Sequence, residues 1–70
     1  MNWRLRNAVE LAELWEANVT IAEDAASFIA CFDTNKEAKL YARRANQSTG
    51  LIAFIDQRIS RCVRVSLAPS

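Results

Sequence analysis

Leu51-Ile52-Ala53-Phe54-Ile55-Asp56-Gln57-Arg58-Ile59 follows the chain's only glycine, Gly50, and two structures suit it. As a strand it begins directly after a helix end. As a helix it sets Ile52, Ile55, Ile59 and Cys62 on one face. Short apolar runs fit either period, so the flanks must decide. Residues 19–32 pose the same choice, between a β-hairpin with strands at 19–23 and 27–32 and a helix opened by the capping box Thr20-Ile21-Ala22-Glu23.

The segment between these two runs is the clearest in the chain. Thr34-Asn35-Lys36-Glu37 is a capping box, with Thr34 as the cap and Glu37 reaching back to the amide of the cap residue. A helix therefore starts here and runs to about Gln47. It buries Ala38, Tyr41, Ala42 and Ala45 and presents Lys36, Lys39 and Arg43 on the other side, with Arg44 flanking and Leu40 among the charges. Phe28 to Phe32 enters this helix through Asp33-Thr34, and Ser48-Thr49-Gly50 leads out of it into the apolar run, as in a strand-helix-strand unit. Strands are accordingly expected on both sides.

Outward from this centre, residues 3–18 read as an amphipathic helix. Leu5, Ala8, Ala12 and Trp15 recur at helical spacing, and Glu10, Glu13 and Glu16 fall opposite. Arg6 can pair with Glu10, and Asn18 suits the left-handed cap at the helix end. Cys62-Val63-Arg64-Val65-Ser66-Leu67 alternates with period two and reads as a strand. The expected fold is a single α+β domain over residues 1–70, of order α-ββ-α-ββ, with an antiparallel sheet and helices on one face. The alternative is a mostly helical helix-turn-helix with a C-terminal strand.

A chain of 70 residues that is 51% apolar, with two tryptophans, is too hydrophobic to stay disordered. At this size a domain buries only roughly 60% of its unfolded surface, which leaves self-association into a homodimer open. Acids soon follow the N-terminal Met1-Asn2-Trp3-Arg4-Leu5-Arg6, so neither a signal core nor a membrane span is expected, and the protein should stay in the cytoplasm. Cys31 and Cys62, isolated and in apolar surroundings, then fit two reduced, buried thiols, with a disulfide as the other option. Asn18-Val19-Thr20 and Asn46-Gln47-Ser48 match the glycosylation triplet by chance in such a compartment.

Histidine is absent, which removes the usual general base near neutral pH and the commonest metal ligand. A Cys or Ser nucleophile would have no imidazole partner, and two separated cysteines cannot build a zinc site. The chain is therefore expected to be no enzyme, to hold no metal and to need no cofactor.

A formal charge of +1 conceals a polarised chain. Residues 10–33 carry six acids and no base, whereas residues 36–64 carry seven bases against Glu37 and Asp56. Ordinary solvated pairs between the halves would each contribute little. The functional alternative is that Lys36, Lys39, Leu40, Arg43 and Arg44, joined by Arg58 and Arg61, form a partner-binding surface. It would meet an acidic protein surface or nucleic-acid phosphates, since guanidinium forks onto both, and Leu40 would be its apolar anchor.

Phe-Asp-Thr-x-x-Glu-Ala from Phe32 and Ala-Arg-Arg-Ala-x-x-x-x-Gly from Ala42, within residues 27–55, resemble small phage-encoded β-α-β proteins, among them anti-CRISPR inhibitors of type I effector complexes. The resemblance covers under half the chain. It implies a non-enzymatic protein that inhibits a host complex by occupying its surface, and it transfers no individual residues. The same region resembles the helix-turn-helix of phage repressors of the Cro kind, with Tyr41, Ala42 and Ala45 inside the first helix and Ile52 and Ile55 fixing the second. That likeness implies a dimeric transcriptional regulator in which Ser48, Thr49, Ala53, Phe54, Gln57 and Arg58 face the major groove. Asn46 and Gln47 depart from the motif, which favours Gly and a buried apolar residue there.

Overall fold

The computed structural model describes residues 1–69 and resolves both ambiguous runs as strands. The order is α1 (Trp3–Leu14), β1 (Asn18–Ile21), β2 (Ser27–Cys31), α2 (Asn35–Asn46), β3 (Leu51–Ile55) and β4 (Cys62–Leu67). All strand pairings are antiparallel, in the spatial order β1-β2-β4-β3. β2 and β3 both oppose β4 and so run parallel to each other, with β4 inserted between them. α2 is the crossover that joins them. The α+β arrangement expected from the sequence is therefore the one observed, and a helix over residues 48–58 is not: the run is β-rich because its alternate members Leu51 and Ala53 are buried while Ile52 and Phe54 are exposed.

Both helices cover one face of the sheet, α2 over β3 and β4, α1 over β1 and β2. The core between the layers joins Leu5, Ala8, Val9 and Ala12 of α1 to Ala38, Tyr41, Ala42 and Ala45 of α2. Phe28, Ala30, Leu51, Ala53, Val63 and Val65 rise from the sheet beneath them, with Phe32 just beyond the end of β2. At its centre Tyr41 packs edge-on to Trp15, at 5.7 Å between ring centroids, and against Phe32 at 5.0 Å. Its hydroxyl donates to the Ala8 carbonyl across the helix pair at 2.5 Å.

Several local expectations are corrected. α1 stops at Leu14, and the left-handed residue is Glu16 at φ 63°, two positions before Asn18. The Glu16 amide donates to the Glu13 carbonyl and the Ala17 amide to the Ala12 carbonyl, the bond pattern of a Schellman turn. Asn18 instead opens β1. Arg6 and Glu10 form no ion pair; among the described residues Arg64 with Asp56 is the one that does, at 3.4 Å. β1 ends at Ile21, β2 at Cys31 and β3 at Ile55. Thr34 caps α2 by accepting from the Glu37 amide at 3.1 Å, and its hydroxyl donates to the Glu37 carboxylate, so Glu37 answers the hydroxyl rather than the cap amide.

The left-handed Glu16 is costly for a residue with a Cβ, by roughly 1–2 kcal/mol. Glu16→Gly is expected to raise unfolding stability by about 1 kcal/mol, and Glu16→Ala to give no such gain. Urea midpoints compare the two, and a glycine variant no more stable than the alanine variant would contradict the assignment.

The cysteines are not free thiols. Cys31 of β2 faces Cys62 of β4 in register, and the two are joined as a disulfide. The Phe32 amide donates to the Arg61 carbonyl at 2.8 Å, so the next pair, Cys31 and Cys62, occupies a non-hydrogen-bonded position, where side chains stand closest. The outer edge of β3 is also closed in part. Asn46 at the end of α2 donates its amide to the Ala53 carbonyl and accepts from the Ala53 amide, both at 2.7 Å, replacing the missing neighbour strand at that residue.

Candidate binding surface

The exposed side of α2 follows from its buried side. With Ala38, Tyr41, Ala42 and Ala45 fixed on the sheet, a period of 3.6 residues puts Lys36, Leu40, Arg43 and Gln47 opposite, flanked by Lys39 and Arg44. All six are exposed, Leu40 at 47%. None of the four cations has a carboxylate within ion-pair distance among the described residues. Arg43 and Arg44 lie in the last turn of the helix, where positive charge complements the helix dipole. They are thus stable in place without a counter-ion and free to meet one from outside.

Beside Leu40, a shallow cavity of about 270 Å³ is lined by Trp15, Leu40, Arg43, Arg44 and Gln47. Trp15 stands at the junction of α1 and the following turn, held by its edge contacts with Phe32 and Tyr41. The surface therefore combines an apolar depression with a cationic border. In the sequence Trp15 is readable only as a core residue of the first helix; no spacing in the chain announces its contacts with Phe32 and Tyr41.

The two loop arginines join this surface only in part. The Ser60 hydroxyl donates to the Asn35 side-chain oxygen at 2.9 Å, which fastens the β3–β4 loop beside the start of α2. Arg61 in that loop is engaged in the structure, its guanidinium donating to the Phe32 carbonyl at 3.2 Å. Arg58 lines a different depression, with Phe54, Asp56, Gln57, Ile59 and Arg64. Asp56 organises this loop: it accepts from the amides of Arg58 at 2.7 Å and Ile59 at 3.2 Å. Those amides, aided by Arg64, hold its carboxyl below the ordinary 3.8.

The second face of the sheet carries no helix. Thr20, Ile29, Arg64 and Phe54 form a row across all four strands, beside the rows of Ser27, Ser66 and Ile52 and of Asn18, Cys31 and Cys62. Phe54 is 50% exposed there. The residues assigned to a recognition helix are dispersed by the fold. Ser48 and Thr49 lie in the turn after α2, Ala53 is buried, Phe54 lies on the open sheet face, and Gln57 and Arg58 lie in the β3–β4 loop.

No family model, curated protein or solved structure matches the chain, so its own geometry carries the functional argument.

Proposed function

We propose that the protein is a non-enzymatic binding module that engages an acidic protein surface through the exposed side of α2. The observation that carries this is the juxtaposition of four cations unpaired among the described residues, Lys36, Lys39, Arg43 and Arg44, with Leu40 and the Trp15 cavity. Cations without internal partners select an acidic surface and speed its encounter. An exposed leucine beside an apolar depression supplies the anchor that distinguishes a docked complex from diffuse attraction. Absence of histidine and the structural causes of the two shifted groups, Tyr41 by burial and Asp56 by loop amides, favour binding over catalysis.

In its narrower form the module is a phage or mobile-element inhibitor that blocks a host complex by occupying its surface; the β-α-β resemblance of residues 27–55 supports that form. A cytoplasmic site of action adds a condition. Disulfides persist in oxidising compartments and are reduced in most cytosols. Cytoplasmic action therefore requires the reduced protein to keep its fold.

An acidic amphipathic peptide of Glu and Leu is the test probe, with its Lys and Leu counterpart and duplex DNA as comparisons. Titration of the isotope-labelled protein should shift amides of residues 36–47. Leu40→Asp and the pair Lys39→Glu with Arg43→Glu should each weaken acidic-peptide binding roughly tenfold or more while leaving the circular dichroism spectrum intact. Unchanged affinity in both variants, or tighter binding to the duplex than to the acidic peptide at equal salt, would overturn the proposal.

A further inference from the structure

A second cavity, of about 520 Å³, opens between the start of α1 and the end of α2, away from the Leu40 depression. Apolar residues Ala8, Leu11, Ala45 and Leu51 form its lining together with Trp3, Arg4, Asn7, Arg44, Ser48 and Thr49. Its size falls in the range of small-molecule sites, roughly 300–1,000 Å³. No acid lines it. Neither Arg4 nor Arg44 has an ion-pair partner among the described residues, and the first turn of α1 holds no carboxylate to neutralise Arg4.

The position of Arg4 is built rather than incidental. Gly50 takes φ +87°, a conformation that few other residues adopt, and the Arg4 side chain lies over it. Arg4 Cδ stands 3.2 Å and Nε 3.4 Å from where a Cβ on residue 50 would be. On its other side the guanidinium lies 4.8 Å from the Trp3 ring centroid. No hydrogen bond among the described residues engages the Arg4 guanidinium, so its N–H groups can donate to a ligand. Trp3 is itself 63% exposed, which leaves its ring accessible to a ligand.

We infer that this cavity binds a phosphate monoester joined through a sugar to a planar ring, the chemistry of a nucleoside 5′-monophosphate. Two guanidinium groups, the Ser48 and Thr49 hydroxyls and the Asn7 amide offer more donors than the two oxygens of a carboxylate can use. The three terminal oxygens of a phosphate match them better. Trp3 gives a ring on which a base can stack, and Leu11 and Leu51 give the sugar and ring an apolar wall. The site is independent of the acidic-partner surface except that Arg44 borders both cavities.

The same chemistry occurs in free nucleotides and at the 5′-phosphorylated ends of nucleic-acid strands, and the test separates the two. Adenosine 5′-monophosphate, adenosine, inorganic phosphate, and a short single strand with and without a 5′-phosphate are titrated into the protein by calorimetry, with tryptophan fluorescence followed in parallel. The monophosphate should bind roughly tenfold or more tighter than adenosine and than inorganic phosphate, as expected for loss of a charge-assisted contact. Arg4→Gln and Thr49→Val should weaken it, Trp3→Leu should remove the fluorescence response, and the pair Lys39→Glu with Arg43→Glu should leave affinity within about threefold, the residual effect of screened surface charge. Comparable affinity for free monophosphate and phosphorylated strand end supports a nucleotide site; preference for the strand end supports the same site serving nucleic-acid termini. Equal binding of monophosphate and adenosine, no binding of either, or unchanged affinity in Arg4→Gln with an intact circular dichroism spectrum would overturn the inference.

Discussion

Reduction of the Cys31–Cys62 disulfide is expected to cost about 3–4 kcal/mol of unfolding stability. The bridge spans a sequence separation of 31 residues, and the loop-closure entropy removed from the unfolded chain at that length corresponds to a figure of this size. A domain of 70 residues ordinarily has roughly 4–10 kcal/mol in total, so the loss is a large share of what holds the fold. The bridge also sits where it counts, between β2 and β4, the two central strands of the sheet. Urea unfolding of the oxidised protein, of the same protein in dithiothreitol and of a Cys31→Ala, Cys62→Ala variant measures the effect. Coincident midpoints for the three samples would show that the bridge contributes nothing. A reduced protein that unfolds well below the oxidised one would bear directly on cytoplasmic action, because it would meet its partner there in a weakened state.

That bridge also lies beyond the reach of local sequence signals. Strand-helix-strand order around Thr34 was legible because its signals are local: the cap, the period of 38, 41, 42 and 45, and the turn residues on either side. Pairing between β2 and β4 is not local, since β3 lies between them in the chain and outside them in the sheet. Nothing in two isolated cysteines reveals that they share a register. The end of α1 departs from the sequence expectation for the opposite reason. The local rule points to Asn18, while the fold puts the sheet's first strand there and forces Glu16 into the left-handed turn.

The candidate surfaces divide along the same line. Lys36, Lys39, Leu40, Arg43 and Arg44 belong to one helix face and could be read from its period. Arg58 and Arg61 carry the same charge, but loop geometry decides where they lie: it ties Arg61 to the Phe32 carbonyl and places Arg58 at a separate depression. The cavity of Trp3, Arg4, Asn7 and Arg44 is assembled from helix ends some 40 positions apart. A one-dimensional charge map shows Arg4 in the acid-free stretch before Glu10 and Arg44 in the basic half, with nothing to join them.

Tyr41→Ala is the second substitution with a large expected effect, about 3–5 kcal/mol, a large share of the stability of a domain this size. Tyr41 is fully buried and its ring meets Trp15 and Phe32, so truncation opens a cavity at the one point where both helices and the sheet converge. Tyr41→Phe keeps the ring and removes the bond to the Ala8 carbonyl. That carbonyl also lies within the α1 hydrogen-bond ladder, so the milder variant should lose only about 1 kcal/mol. Burial pushes the phenol of Tyr41 far above its ordinary 10.0. The unfolded chain then releases this proton at lower pH than the folded one, so stability is intact below pH 10 and falls as pH rises above it. As Tyr41 is the only tyrosine, phenolate absorbance reports on it alone. Ionisation should coincide with unfolding rather than precede it, and Tyr41→Phe should remove this component of the alkaline loss. A phenol that titrates near 10.0 in protein whose circular dichroism is still native would place its hydroxyl in water, and the bond that couples α2 to α1 would have to be abandoned.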